Sequence, residues 1–356
     1  MNYVFDQTST SVRHAGSKAR DDVNAILLDS GFTLRSFSCS YDDSPLSIAK
    51  DYLSIPRQIR RLAETLGPGD VFLLQFPFRC YSTRIGVSLC KTALKREARS
   101  IVLIHDLPCL RNVENQPRLF GALMRNDIVF LSGFDCIIAH NNRMKEYLVE
   151  QGIEPSKIVV LELFDYLLPN CDEVAPRFER KVSVAGNLTK EKTHYLYELQ
   201  ADPTRSYGVD LYGAGWEGET CENGMIYRGS YGPEELVAHI TSGFGLVWDG
   251  DSTDECSGEY GRYLLYNNPH KMSSYIASGV PVVVWDKAAV APFVKKHGIG
   301  ITVPSLGKLN QIIAEMDESA YAAMASNVSA VRRKVASGVF LQSAVQKALS
   351  PSVSKS

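Results

Sequence analysis

The sequence of 356 residues lacks several features that would place it in well-known classes of protein. No apolar run approaches the ~18 residues of a membrane-spanning helix, and no basic segment followed by a long apolar core opens the chain. Its 38 Lys and Arg residues nearly balance 40 Asp and Glu residues, so the formal net charge of −2 gives no general attraction to nucleic acid or anionic lipid. We therefore expect a soluble, unprocessed protein.

The eight cysteines form no Cys-x-x-Cys pair and show no zinc-finger spacing. In a chain of this length the pattern fits reduced, mostly structural thiols, so we expect a cytoplasmic protein without structural zinc. Hydrophobic residues make up 45% of the chain and charged residues 22%, which excludes disorder along its whole length. At roughly 150 residues per domain, the length suggests two domains.

Short β-branched or aromatic runs alternate with segments whose apolar residues have helical spacing. The predicted strands of the first half are 3–5, 33–38, 71–75, 101–105, 136–139 and 158–161. The alternation breaks in a polar stretch with two prolines, 168–176, which suits a linker. It then resumes with strands at 182–185, 209–212, 244–248, 280–285 and 300–303, and a helix is predicted at 270–277.

This βαβ alternation predicts an α/β protein with parallel sheets covered by helices on both faces. We expect two tandem Rossmann-like domains, residues 1–168 and 177–330, with an interdomain cleft at the carboxyl ends of both sheets. Residues 331–356 are expected to form a C-terminal helix that packs back across the domains.

The segment from Tyr266 to Trp285 is the most informative part of the sequence. Asn267 or Asn268 can cap a helix whose first turn tolerates Pro269, leaving free backbone N–H groups for an anion. His270 and Lys271 add donor or cationic groups at this positive end of the helix, where a diphosphate would balance them. The alternative is an ordinary capped helix with a solvated lysine.

Four segments, 104–106, 185–187, 243–248 and 267–285, have an order and spacing that resemble a known family. They resemble bacterial galactofuranosyltransferases from polysaccharide clusters, among them β-1,6-galactofuranosyltransferases. They also resemble the related streptococcal glucosyltransferases that extend N-acetylglucosamine on serine-rich adhesins. The resemblance covers most of the chain and implies a GT-B glycosyltransferase, whose second domain binds a UDP-sugar while the first presents the acceptor.

The resemblance also implies roles for single residues. Lys271 matches a lysine that contacts the diphosphate, and Lys190 stands where the streptococcal relatives carry an arginine; alternatively, Lys190 is an exposed lysine. Gly186 and Asn187 are expected to shape the donor pocket. The loop that contains Ser17 is expected to meet the donor phosphates or the acceptor, unless it is a solvated loop.

The catalytic base is expected at the end of a buried strand in the first domain. Inverting transfer needs a group that takes the proton of the acceptor hydroxyl, and a carboxylate or an imidazole can do this. We favour Asp106, with His105 as the second candidate. The alternatives are a turn-forming aspartate and a strand-end histidine with a structural role.

Two further motifs have competing interpretations. The glycines from Gly213 to Gly218 fit the spacing of a dinucleotide-binding loop, but a tight loop beside the donor is favoured because acidic residues follow. Asp249-Gly250-Asp251 could hold Mg²⁺ or Mn²⁺ with substrate phosphates, although the Lys271 region offers a metal-free alternative. Glu259 is expected to touch sugar or ribose hydroxyls, and Tyr266 to flank the uracil or to pack in the core.

These observations predict a metal-independent, inverting glycosyltransferase that needs no cofactor. We expect it to move a hexosyl group, galactofuranosyl in the first instance, from UDP to a saccharide hydroxyl during surface-glycan assembly. The competing hypotheses are a UDP-glucose-dependent glucosyltransferase of protein glycosylation, an NAD-linked oxidoreductase, and a non-catalytic sugar-nucleotide-binding assembly factor. The expected partners are the UDP-sugar, a saccharide acceptor, a lipid-linked acceptor met at the membrane periphery, and a second copy in a homo-oligomer.

Overall fold

The computed structural model describes residues 1–8, 15–40, 42, 44–111, 117–169 and 175–350, without the side chains of residues 15, 16 and 117–120. These residues form two compact units. The first contains 1–8, 20–161 and 341–350, and the second contains 15–19 and 162–340. Most of the predicted linker, residues 170–174, lies outside the described residues, as do residues 9–14 of the loop before Ser17.

The first unit is built on a parallel sheet whose described strands run in the order β2-β1-β3-β4-β5-β6. The strands are β1 (Asn2–Thr8), β2 (Phe32–Ser38), β3 (Val71–Phe76), β4 (Arg99–Ile104), β5 (Cys136–Ala139) and β6 (Ile158–Val160). The helices are α1 (Ala15–Asp29), α2 (Pro45–Glu64), α3 (Thr83–Lys95), α4 (Pro108–Arg111), α5 (Pro117–Ser132) and α6 (Asn142–Glu150), with a 3₁₀ turn at Pro155–Lys157.

The second unit contains a sheet in the order β13-β12-β11-β7-β8-β10-β9, parallel except for the short edge strand β9. Its strands are β7 (Arg177–Ala185), β8 (Gly208–Tyr212), β9 (Cys221–Glu222), β10 (Met225–Gly229), β11 (Ser242–Val247), β12 (Val282–Trp285) and β13 (Gly300–Val303). Its first helices are α7 (Lys190–Thr193), α8 (Tyr195–Ala201), α9 (Pro233–His239), α10 (Gly258–Tyr263) and α11 (His270–Ala277). They are followed by α12 (Ala291–His297), α13 (Leu306–Glu315) and α14 (Glu318–Ala336). Helix α15 (Val339–Leu349) begins at the end of this unit, and its residues from Leu341 onward belong to the first unit.

The predicted α/β class is confirmed, and every predicted strand is present. Most bounds agree within two residues, but β1 ends three residues later than predicted and β7 begins five residues earlier. Strands β9 and β10 were missed, because the glycine-rich and acidic stretch before them gave no periodic pattern. A helix was predicted from residue 270 to 277, and α11 has these bounds.

The domain boundaries differ from the predicted positions at 168 and 330. Residues 162–166 bond to the second unit: Phe164 accepts a hydrogen bond from Ser273, and the backbone N–H of Tyr166 donates to Val335. The second unit therefore begins at Glu162, before the proline-rich stretch. Helix α14 continues through residue 330, and the chain rejoins the first unit only at Leu341.

Helix α11 lies close to the centre of the second sheet because Gly245 of β11 has no side chain. A Cβ atom at Gly245 would come within 2.1 Å of the Tyr275 ring on α11. The hydroxyl of Tyr275 accepts a 2.8 Å hydrogen bond from the backbone N–H of Ala185 at the end of β7. These two contacts fix the start of α11 at the carboxyl edge of the sheet.

Two findings concern the cellular context predicted from the sequence. Within the described part of the chain, no helix combines the length and the apolar character needed to cross a membrane. The seven cysteines in that part are free thiols, and Cys171 lies outside it.

Candidate functional site

The start of α11 differs from the predicted capping. Pro269 is the N-cap residue and the helix begins at His270, so neither asparagine caps it. Asn268 is buried and donates a 3.0 Å hydrogen bond from Nδ2 to the carbonyl oxygen of Glu162. The prediction of an asparagine cap was wrong because the tertiary contact with Glu162 outweighs the local preference of Asn for a cap.

Lys271 points from the first turn of α11 to the end of β11. Its Nζ lies 2.8 Å from Oδ1 of Asp249 and 3.2 Å from the carbonyl oxygen of Trp248. The two ion-pair side chains are only 12% and 7% exposed, respectively. Burial lowers the pKa of Lys271 and the adjacent Asp249 opposes this effect, while the charge of Lys192 lowers the pKa further. The pair keeps the Lys271 cation in a position that is largely shielded from water.

Lys192 joins this group, whereas Lys190 lies elsewhere. The Nζ of Lys192 lies 5.7 Å from the ring centroid of Tyr260, and its charge acts on Lys271. The Nζ of Lys190 lies 5.3 Å from the ring of Tyr197 in an exposed position. Sequence reasoning named Lys190 and passed over Lys192. The sequence analysis did not predict the one-turn helix α7. On that helix, Lys190 and Lys192 are two positions apart, so their side chains point to different sides.

The turn after β7 is held against the turn after β8. Gly186 and Asn187 are both exposed, and Asn187 Oδ1 accepts a 3.0 Å hydrogen bond from the Thr189 backbone. At Gly213, which has a φ of 146°, a Cβ atom would come within 1.7 Å of the Gly186 carbonyl oxygen. The glycines of this region thus permit two backbone turns to touch.

The dinucleotide-loop interpretation of Gly213 loses its main physical support. That loop requires a helix whose N-terminus receives the pyrophosphate. In the structure, the chain after Gly213 enters the two-residue strand β9 instead.

His270 is a neutral ring under ordinary conditions. Its ring stacks on Tyr166 with centroids 5.1 Å apart, and burial lowers its pKa to about 4, with a further contribution from the charge of Lys18. His270 therefore supplies a donor or an acceptor, and the cationic role considered from the sequence is not available near neutral pH.

Two buried polar atoms near the start of α11 lack a hydrogen-bond partner among the described residues. They are Oδ1 of Asn267 and Nε2 of His270. Such atoms are uncommon in folded proteins because an unmet buried hydrogen bond costs about 1–3 kcal/mol. A bound ligand or water can satisfy them, so both predicted residues have polar atoms available at this place.

The remaining predicted donor-site residues all belong to the second unit. Ser17 is half-buried in the first turn of α1, beside Lys18, whose Nζ donates to the Leu167 carbonyl oxygen at 2.9 Å. Glu259 lies in α10 and Tyr266 follows it, and both are half-buried.

The Asp249 region has a clear electrostatic partner. Asp249 is engaged by Lys271, as described above, and the carboxylate of Asp251 lies beside Gly258. No group of three His, Cys, Asp or Glu side chains in the described segments is placed to hold a metal ion.

In the first unit, a chain of partly buried hydrogen bonds connects Asp6 with His105. Asp6 is paired with Arg20 at 2.7 Å and accepts from Asn24 Nδ2 at 2.9 Å. Asn24 Oδ1 accepts from Gln75 Nε2 at 2.8 Å, and Gln75 Oε1 lies 2.6 Å from His105 Nε2.

This chain determines the tautomer of His105. A carboxylate only accepts, so Asn24 must offer its amide group to Asp6 and its oxygen to Gln75. Gln75 must then turn its own oxygen to His105, and an amide oxygen also only accepts. Nε2 of His105 therefore carries a proton, and any further proton must enter the ring at Nδ1.

Asp106 is placed differently from His105. Its Oδ2 lies 2.7 Å from Nη1 of Arg111, and the two side chains are 35% and 41% exposed. The carboxylate is thus engaged by a half-exposed guanidinium.

Comparison with known proteins covers almost the whole chain. Residues 1–163 match the model of the Glucosyltransferase 3-like N-terminal domain, and residues 182–348 match that of the C-terminal domain. The chain belongs to the Glucosyltransferase 3-like family. It is a glycosyltransferase with the GT-B fold, which confirms the resemblance seen in the sequence.

Two relatives and one solved structure illustrate the match for this Glucosyltransferase 3-like chain. It is 30% identical over 354 residues to the beta-1,6-galactofuranosyltransferase WbbI of Escherichia coli K12, covering 98% of each chain. It is 27% identical over 316 residues to glucosyltransferase 3 of Streptococcus gordonii, covering 87% of this chain and 86% of that one. The sucrose-phosphate synthase of Thermosynechococcus elongatus superposes with a TM-score of 0.65 at 12% identity, over 97% and 98% of the chains, which supports the fold alone.

The low pKa of His270 predicts how the second unit responds to acid. The native pKa of about 4 is below the ordinary value of 6.5, so the unfolded chain binds the proton more readily between these values. Stability contributed by the neutral ring is present above about pH 6.5 and falls by at most about 3 kcal/mol as the pH drops to 4. Urea unfolding followed by tryptophan fluorescence reports on this unit, because Trp216, Trp248 and Trp285 all belong to it.

His270→Phe is the matched variant, since phenylalanine keeps an aromatic ring beside Tyr166 and cannot titrate. Its unfolding free energy should change less than that of the wild type between pH 6.5 and 4. Equal pH dependence of the two proteins would show that His270 is not held neutral.

Proposed function

We propose that the protein is a metal-independent, inverting glycosyltransferase. It transfers a hexosyl group, galactofuranosyl in the first instance, from UDP to a saccharide hydroxyl in the assembly of a surface polysaccharide or glycoconjugate. The observation that carries this proposal is the buried ion pair of Lys271 with Asp249 at the first turn of α11, with Lys192 near enough for its charge to act on Lys271.

The second unit provides the donor site in this proposal. A departing UDP develops negative charge on its diphosphate, and lysines with a helix N-terminus can stabilise that charge without a divalent ion. Lys271 and Lys192 supply the cations, with Asp249 holding Lys271 in place until phosphate oxygens compete for it. Asn267 Oδ1 and His270 Nε2 offer polar contacts to the rest of the donor.

Gly186 and Asn187 form an exposed turn in which the Gly186 backbone has open space beside it. We assign this turn, Glu259 and Tyr266 to the sugar and nucleoside parts of the donor, where carboxylate and hydroxyl groups can meet sugar hydroxyls. Ser17 is assigned to the phosphates. These roles rest on the family resemblance and on the location of all five residues in the second unit.

The first unit presents the acceptor and the catalytic base. Two contacts favour His105 over Asp106 for this role. The Asp6–Asn24–Gln75 chain orients the His105 ring and makes Nδ1 the nitrogen that accepts a proton. The carboxylate of Asp106, in contrast, is engaged by Arg111. In the proposed step, Nδ1 of His105 takes the acceptor hydroxyl proton as the oxygen attacks the anomeric carbon and UDP departs.

The choice of galactofuranose rests on the relative that shares 30% identity over nearly the full length of both chains. Glucose is the second candidate, because the streptococcal relative is named a glucosyltransferase and also matches most of this chain.

A panel of UDP-sugars, including UDP-galactofuranose, UDP-galactose and UDP-glucose, tests the proposal when combined with simple glycoside acceptors. We expect mass spectrometry to detect transfer from UDP-galactofuranose with inverted anomeric configuration, and the rate should be unchanged in EDTA. Loss of activity in EDTA with recovery in Mn²⁺ would return Asp249 to a metal-binding role. UDP binding without transfer to any acceptor would favour the assembly-factor hypothesis.

The two lysines of α7 provide a matched test of the diphosphate site. Lys192→Ala should weaken UDP binding by about 1.5–3 kcal/mol, which is roughly 10- to 150-fold, because it removes a charge-assisted contact. Lys190→Ala removes the same charge two residues away and should change the affinity by less than about threefold. Isothermal titration calorimetry measures both, and a larger loss for Lys190→Ala would reverse the assignment.

The base is tested with His105→Gln and Asp106→Asn at saturating donor. His105→Gln should lower kcat by about 10²- to 10⁴-fold while UDP affinity is kept, and Asp106→Asn should have a much smaller effect. Gln75→Glu places a carboxylate beside Nε2, which favours the imidazolium, so the acidic limb of the pH–rate profile should move to higher pH. An unmoved limb, or an equal loss in Asp106→Asn, would contradict the role of His105.

A further inference from the structure

Helix α2 has leucines and cations on its solvent face. This face follows helical spacing and consists of Leu46, Lys50, Leu53, Arg57, Arg60 and Glu64. The buried side of the same helix is formed by other residues, Asp51, Ile55, Ile59 and Ala63. The leucines at 46 and 53 are therefore outside the core of the unit, with exposed fractions of 85% and 62%.

Exposed apolar side chains are concentrated on α2 and on α3, which packs beside it. The described residues include nine exposed large hydrophobic side chains, and four of them, Leu46, Tyr52, Leu53 and Leu94, lie on these two helices. Leu94 of α3 is 78% exposed and lies next to Lys95. Single exposed leucines need no explanation, but this concentration on one helix pair does.

The same pair of helices encloses a basic groove of about 660 Å³. Its walls include five cations, Arg60, Arg84, Lys91, Lys95 and Arg96, and one acid, Glu64. Glu64 pairs with Arg60 at 2.8 Å, and no salt bridge among the described residues involves the other four. This local excess of positive charge contrasts with the formal charge of −2 for the whole chain.

We propose that the face formed by α2 and α3 docks on the surface of an anionic lipid bilayer. The charge of the groove is complementary to lipid phosphates, and the exposed leucines are placed to enter the boundary between headgroups and acyl chains. A helix that lies in a membrane interface typically has cations and leucines along one face, as α2 does. A soluble polyanion would use the cations and leave the leucines without a role.

Docking of this kind brings the first unit to a surface where lipid-linked saccharides are found. The inference does not depend on the identity of the donor sugar, and it concerns residues outside the proposed donor and acceptor machinery. Failure of docking and failure of the proposed transfer reaction can therefore be told apart.

Flotation of the full-length protein with phosphatidylcholine vesicles, with and without phosphatidylglycerol, tests the proposal. Binding should require phosphatidylglycerol and should weaken as salt is raised. Lys91→Glu combined with Lys95→Glu should reduce the vesicle partition coefficient on the order of 30-fold or more, at about 1 kcal/mol per cation near the surface. Lys295→Glu combined with Lys296→Glu makes the same change of charge on α12 and should have little effect.

Leu53→Gln distinguishes a bilayer from a soluble polyanion. The variant should bind vesicles several-fold more weakly and should bind a heparin column as the wild type does. Unchanged vesicle binding by Leu53→Gln, equal losses in the two double variants, or no binding to phosphatidylglycerol vesicles would each overturn the proposal. Transfer to a water-soluble acceptor should be the same in the wild type and in all three variants.

Discussion

The ion pair between Lys271 and Asp249 is the interaction on which the candidate donor site depends. A lysine at the positive end of a helix is unfavourable unless a negative group is near, and its burial adds a desolvation cost. Asp249 at the end of β11 supplies the negative group. Gly245 lets α11 approach the sheet closely, because any Cβ atom there would clash with Tyr275, and the same helix carries Lys271 in its first turn.

The sequence was sufficient to predict most of the fold. Strands rich in Val, Ile and Phe stand out because parallel strands are buried on both faces, and α11 was predicted with its correct bounds. The domain boundary was not predictable in this way. Residues 162–166 belong to the second unit through hydrogen bonds with Ser273 and Val335, and such partners are more than one hundred residues distant in the chain.

The candidate site was predicted in part. Lys271 was singled out by its place at a helix start, and the structure places it in a buried ion pair with Asp249. Lys192 was not distinguished from Lys190, because local sequence cannot say which side of a four-residue helix faces α11. Nor could the sequence show that Asp249, read as a metal-ligand motif, has a lysine as its partner.

The hydrogen-bond chain behind His105 shows most clearly what only coordinates provide. Its members come from β1, α1, β3 and the end of β4, and no spacing rule connects Asp6 with Asn24 and Gln75. Once these side chains are brought together, only one arrangement of protons lets each donor face an acceptor along the chain. The carboxylate of Asp6 thereby fixes the protonated nitrogen of an imidazole three side chains away, which is why we give His105 the catalytic role that the sequence alone assigned first to Asp106.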